Sequence, residues 1–175
     1  YADGNGSKPG LPLRLTGIKG SGSSELARST VGEVYTQILK DLNEAEADLP
    51  LSNGTATLNT TRVHKNTVIA FKTRVYLSMQ KYTEAVNEAN KIVSSTAPFT
   101  ATTGVAHRLE ANLATVFTNY TTNESIFSLP MTNTAGDFPG TQNQIAYYWT
   151  PVTSLGGVGN GEYSLNPNVV LANTT

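Results

Sequence analysis

Val63-His-Lys-Asn-Thr-Val-Ile-Ala-Phe-Lys-Thr-Arg-Val-Tyr-Leu-Ser-Met-Gln80, followed at once by Lys81-Tyr-Thr-Glu-Ala-Val-Asn-Glu-Ala-Asn-Lys-Ile-Val-Ser94, is the stretch from which the fold is read. Val68, Phe71, Val75 and Met79 recur at intervals of three and four, the period that puts side chains on one face of an α-helix. The spacing predicts a helix from about Val63 to Gln80. After a tight turn a second helix is predicted from about Thr83 to Ser94, presenting Ala85, Val86, Ala89, Ile92 and Val93. No Gly or Pro interrupts either run.

Working outward, Thr30-x-x-Glu33 is a capping box, in which hydroxyl and carboxylate each satisfy an orphan backbone N–H. Val31, Val34, Ile38, Leu42, Ala45 and Leu49 follow at helical spacing, and Pro50 ends the run. Leu51 to Thr61 reads as a turn-rich linker. Residues 1–29 read as extended loop, in which only Leu11 to Leu15 has the makings of a strand. Beyond Thr100, Leu109, Leu113, Val116 and Phe117 suggest a helix from about His107 to Asn119. Ser125 to Leu129 alternates as a short strand closed by Pro130. From Met131 to Thr175 there is little periodicity, and so long an irregular segment is usually functional or ordered by other parts of a larger protein.

The two central helices resemble a tetratricopeptide repeat, a unit of about 34 residues whose small second-helix residues let two helices pack closely. Counting from Asn66, Tyr76 takes the first-helix tyrosine position, and Ala85 and Ala89 take small second-helix positions. Pro98 stands one place past the expected proline. Ile69 replaces the usual Trp, and Lys72-Thr73 replace Leu-Gly. An ordinary helical hairpin is the alternative. The expected fold is therefore mostly α: a tetratricopeptide-like hairpin, a further packing helix over Val31 to Leu49, and a loop-rich C-terminal segment with short strands. One such repeat does not bury its own faces, so neighbours must cover it.

Composition narrows the function classes. Charged residues are 14% and hydrophobic residues 38% of the 175-residue chain, with Thr, Ser and Asn filling the difference. That balance is common in surface-exposed proteins. A net charge of −1 without a Lys/Arg cluster disfavours nucleic acid and anionic membranes as partners, because both need a basic surface to neutralise phosphate. The absence of cysteine removes disulfides, thiol catalysis and thiolate metal sites. No apolar run approaches the length of a membrane span.

Over residues 10–130 the chain resembles the SusD/RagB family of surface lipoproteins that capture nutrients in Bacteroidetes-type bacteria. The matching words are Gly10-Leu-Pro-Leu13, Arg28-Ser-Thr-Val-Gly-Glu-Val-Tyr-Thr-Gln-Ile-Leu-Lys-Asp-Leu-Asn-Glu-Ala45 and Thr61-Arg-Val-His-Lys65 leading into Arg74-Val-Tyr-Leu77. Lys81-Tyr-Thr-Glu-Ala85 and Asn123-Glu-Ser-Ile-Phe127 complete the set. The resemblance implies an internal slice of a longer protein, divided as an extended region over 1–29, a helical region over 30–120 and an irregular region over 121–175, all within one larger domain. It further implies an oligosaccharide ligand, a lid-like position on a SusC-like TonB-dependent transporter at the cell surface, and membrane attachment only through a lipid anchor outside this chain.

The residue chemistry agrees with binding rather than catalysis. His64 and His107 have no third ligand near them in sequence, although His107-x-x-Glu110 would share one helical face. Asp3-x-Asn5-x-Ser7 fails as a calcium loop because Lys8 and Arg14 occupy the glycine and glutamate positions. Gly17-Ile-Lys-Gly20-Ser-Gly22-Ser-Ser24 lacks the lysine ending of a phosphate loop and reads as a connector. Asp137 and Glu162 bracket the irregular segment and are the acids best placed for a hydrolytic pair, yet acids in loops are usually solvated. No catalytic residue, metal or cofactor is expected.

Asp137-Phe-Pro-Gly-Thr-Gln142-Asn-Gln144-Ile-Ala-Tyr147-Tyr148-Trp149 is the informative loop. Sugar C–H faces sit on aromatic rings, and sugar hydroxyls pair with amides and carboxylates. Trp149, Tyr147, Tyr148, Asn143, Gln144 and Asp137 are the candidate glycan-binding residues. In an extended segment Tyr147 and Trp149 share a face and Tyr148 takes the other. Burial of these rings against the helices is the alternative. A helical scaffold that holds a protein partner is the second functional reading.

Overall fold

The computed structural model describes residues 6–22, 24–130, 148 and 161–163. The chain divides into two units, Tyr1–Leu129 and Pro130–Thr175. The first unit holds five helices: α1 (Val31–Asp48), α2 (Ala56–Thr61), α3 (Lys65–Ser78), α4 (Tyr82–Ala89) and α5 (Leu113–Thr118). α3 is the centre, packed against α1 on one side and α4 on the other.

α1 starts and stops where the sequence places it. The Thr30 hydroxyl accepts from the Glu33 N–H at 3.2 Å, and the Glu33 carboxylate accepts from the Thr30 N–H at 2.7 Å. Those bonds hold the Glu33 carboxyl below its ordinary range. At the other end the Leu49 N–H donates to the Ala45 carbonyl before Pro50 prevents continuation. The α1 stripe is half-buried throughout, with no residue wholly covered.

α3 and α4 form the expected hairpin, and the turn between them is a Schellman motif. Gln80 sits at φ 59°, the Gln80 N–H donates to Leu77 O at 2.9 Å, and the Lys81 N–H donates to Tyr76 O at 2.9 Å. α4 is shorter than predicted and ends at Ala89, with Lys91 and Ile92 in turns that donate to Glu88 and Ala89. Tyr76 and Ala89 are half-buried and Ala85 is buried.

The packed face of α3 differs from the predicted one. Val68, Val75 and Met79 are buried, but Phe71 is 54% exposed and Lys72, at 3%, takes its place. The helix turns Lys72 inward because two carboxylates wait there, and Phe71 is left on the outer face with Leu77. Val86 and Val93 are exposed on or beside α4 for the same geometric reason: the side facing α3 carries Ala85 and Glu88.

Three further expectations are corrected. The linker Leu51–Thr61 contains α2, capped by the Thr55 hydroxyl accepting from the Leu58 N–H at 3.2 Å. The helix predicted from His107 to Asn119 is only α5, capped by Asn112; His107 lies in a loop because its ring and backbone are committed to tertiary bonds. Residues 125–129 and 11–15 form no strand. The Ser128 N–H donates to Thr60 O at 2.9 Å, and the arm before α1 forms an isolated antiparallel bridge, Pro9 with Thr30, flanked by backbone bonds from Ser29 to Leu11 O and from Gly32 to Gly6 O. Among the described residues Ile69, Ile92 and Ala101 form a small apolar cluster, with Ala70 and Ile126 packed on it.

Candidate functional site

Of the candidate glycan-binding residues, Asp137, Asn143, Gln144, Tyr147 and Trp149 lie outside the described residues. Tyr148 is described and half-buried. Its ring meets that of Tyr163 edge-on at 6.0 Å and 61°, and its carbonyl accepts from the Tyr163 N–H at 3.0 Å. Edge-to-face geometry suits the ring quadrupole and ties the two tyrosines together. Glu162, between them and the glycines before it, is exposed; its proposed partner Asp137 lies outside the described residues.

Within the first unit the polar interior is as populous as the apolar one: Asn59, Thr60, His64, Asn66, Lys72, Glu88 and His107 are all buried. Five of them fall into two clusters, Lys72 with Glu88, and His64 with Asn66 and His107. In the first, the Lys72 ammonium lies 2.5 Å from Glu46 Oε2 and 2.7 Å from Glu88 Oε1, with Lys91 at 3.3 and 2.8 Å from the same two carboxylates. Burial works against the charge on Lys72, but the two carboxylates outweigh it and hold the amine above its ordinary value. Burial likewise works against the charge on Glu46, and the two ammonium groups outweigh it to hold that carboxyl below its ordinary value. The cluster joins α1, α3 and the end of α4 by alternating charge. Its geometry is that of a cross-brace rather than a reaction centre.

The second cluster binds the loop after α4 to the start of α3. The Asn66 amide donates to Thr103 O at 3.0 Å and Val105 O at 2.9 Å, clamping the loop between them. Gly104, at φ +73°, lets the loop pass: a Cβ there would lie 2.5 Å from Asn66 Oδ1 and 3.1 Å from Leu51 O. His64, wholly buried, caps α3 and faces His107 with Nε2 atoms 3.4 Å apart. Ring centroids are 5.3 Å apart and planes 14° apart, so the nitrogen-bearing edges face each other. Among the described residues no three His, Cys, Asp or Glu side chains gather in a metal-binding group.

The one-turn pairing of His107 with Glu110 does not form, since neither is helical. Instead Glu110 Oε1 accepts from the backbone and side-chain amides of Asn123, and Glu124 Oε2 accepts from the Glu110 N–H at 3.1 Å. Beside this crossing lies an open, apolar cavity of about 210 Å³ walled by Val93, Phe99, Leu109, Ile126 and the His107 ring, with Arg108 and Glu124 as its polar members. The glycine-rich 17–24 stretch is the connector expected, its arm tied by Arg14 to Ser24 O and by Arg28 to Gly10 O. Sequence reasoning missed Asn66 and Lys72 as organising residues. The available signal was polarity at a helical core position, Lys72 one turn after Val68.

Residues 9–77 match the family model described as SusD-like, starch-binding associating with outer membrane. A SusD superfamily protein from Bacteroides thetaiotaomicron is similar in structure with a TM-score of 0.57, at 21% identity, over 75% of this chain and 26% of that one. Another SusD superfamily protein, from Bacteroides fragilis, gives a TM-score of 0.57 at 27% identity, over 73% of this chain and 27% of that one. No curated protein matches the sequence. The chain thus spans about a quarter of the length of the solved structures that it matches. The chain carries SusD-like sequence over the arm and first three helices, and over about three quarters of its length it is similar in fold to two SusD superfamily proteins.

Proposed function

We propose that the chain is the helical scaffold portion of a cell-surface glycan-capture protein, which holds oligosaccharide without altering it and passes it to a TonB-dependent outer-membrane transporter. The family match over residues 9–77 carries this reading. No catalytic constellation in the described residues competes with it. The braced three-helix unit supplies rigidity, and the aromatic and amide loop supplies the sugar-facing chemistry. Trp149 and Tyr147 are proposed as stacking rings, with Tyr148, Asn143, Gln144 and Asp137 as flanking polar partners. A lipid anchor outside this chain would hold the parent protein at the outer surface.

Trp149→Ala tests the platform. A dissociation constant near ~1 mM corresponds to only about −4 kcal/mol, so losing one stacked ring should weaken binding roughly tenfold. Calorimetric titration with oligosaccharides, alongside a thermal melt, is the measurement. Unchanged binding places the site elsewhere, and a melt lowered by about 3–5 kcal/mol of stability makes the ring a core anchor instead. Co-purification of the parent protein with an outer-membrane transporter tests the assembly.

One observation favours a second role beside it. Tyr82 and Val86 stand exposed on α4, with Phe71 exposed on α3, which is the apolar surface a protein-binding helical scaffold would present.

A further inference from the structure

We infer that His64 and His107 form a proton-operated latch, which holds the 101–128 segment on α2 and the start of α3 while both rings are neutral and releases it when both are protonated. Hydrogen-bond bookkeeping assigns the closed state. His107 Nδ1 lies 3.2 Å from Asn123 O, an atom that only accepts, so Nδ1 carries the proton and His107 Nε2 keeps a lone pair. The facing His64 Nε2 is then the donor, which leaves the His64 Nδ1 lone pair. That buried nitrogen makes no hydrogen bond, so no neighbouring group contradicts this tautomer. Two added protons do not fit. One would sit on a buried His64 Nδ1, and the other would turn the Nε2–H···Nε2 contact into two donors and two positive charges 3.4 Å apart.

Backbone groups of Asn59 and Ile126 favour the charged form of His64, and that of Asn123 the charged form of His107, but burial outweighs them. α2 contributes no titratable side chain. Lys65 adjoins His64 on α3, and the segment itself brings Arg108, Glu110 and Glu124. Among the described residues none of these forms an ion pair with either ring, and both carboxylates are already committed to backbone amides. Burial accordingly pushes both imidazoles below their ordinary value of 6.5, and for His64 the facing ring adds to it. Opening is local because little else holds the segment: the Asn66 clamp, Ala101 and Ile126 in the small apolar cluster, and the Ser128–Thr60 bond.

Hydrogen exchange on the 175-residue chain tests the latch, read at the amides of Ala101, Arg108, Leu109 and Ser128, which donate to His107, Asn123, Pro98 and Thr60. If opening admits one proton to each ring, its equilibrium constant rises about a hundredfold per pH unit below 6.5, about tenfold for each histidine. His107→Asn, which keeps a donor for Asn123 O, should reduce the slope to about tenfold. His64→Gln/His107→Asn should flatten it. The latch is overturned if the slope is the same in these variants as in the unmodified chain, or if the four amides open only together with those of α3 and α4. Should a variant fail to fold, the unmodified chain still decides by NMR: either ring titrating at 6.5 without faster exchange at these amides refutes the proposal.

Discussion

Lys72 and Gly104 show how single positions carry this small molecule. Lys72 is buried between Glu46 and Glu88, so removing it leaves Lys91, among the described residues, as the one cation beside two neighbouring carboxylates. Lys72→Met should cost about 1–3 kcal/mol near neutral pH, a loss that shrinks in acid as the carboxylates take protons. Urea unfolding at two pH values measures both parts. At Gly104 the backbone is left-handed and the missing Cβ is where Asn66 Oδ1 lies. Gly104→Ala should therefore destabilise by about 1–3 kcal/mol and loosen the loop that Asn66 holds. If the melt does not move, the clamp is not formed as described.

At the level of elements, the α3–α4 hairpin is specified by its turn as much as by its faces. Gln80 occupies the left-handed position of the Schellman motif, where glycine carries no Cβ penalty. Gln80→Gly should stabilise the chain by about 0.5–1 kcal/mol, seen as a raised urea midpoint with an unchanged slope. A fall instead would mean that the Gln80 side chain makes a contact worth more than the backbone strain. α1 was legible because a capping box and a proline fix its ends locally, and α3 because its apolar residues recur at helical spacing. α5 was over-extended because Leu109 and Leu113 fit a helical period by coincidence, while His107 and Glu110 were already drawn to Asn123. α2 was hidden in a Thr- and Asn-rich linker without an apolar stripe to announce it.

For the whole molecule, charge placement sets a pH window. Lys72 is held above its ordinary 10.5, so its contribution is complete below that pH and is lost as pH rises through the folded value. Glu46 is held below its ordinary 4.5, so it stabilises above that pH and ceases to as pH falls through its folded value. The two histidines are held below 6.5, so the unfolded chain takes their protons first and stability declines as pH drops below 6.5. Unfolding free energy should therefore form a plateau from about pH 6.5 to 10.5 and fall on both sides, with the acid slope reduced in the double histidine variant. A maximum at pH 5 would contradict the neutral histidine pair.

Helical periodicity, the Thr30–Glu33 capping box and Pro50 settle the helical core, because each acts within a turn or two of chain. Which face of α3 turns inward was decided by the tertiary structure, since Lys72 is a core residue only when Glu46 and Glu88, from other helices, meet it. The pairing of His64 with His107 likewise exists only after a loop folds back across 43 positions. Local patterns name what a segment prefers. Partners distant in sequence decide which polar side chains are buried, and burial without a partner is too costly for the sequence alone to reveal where it occurs.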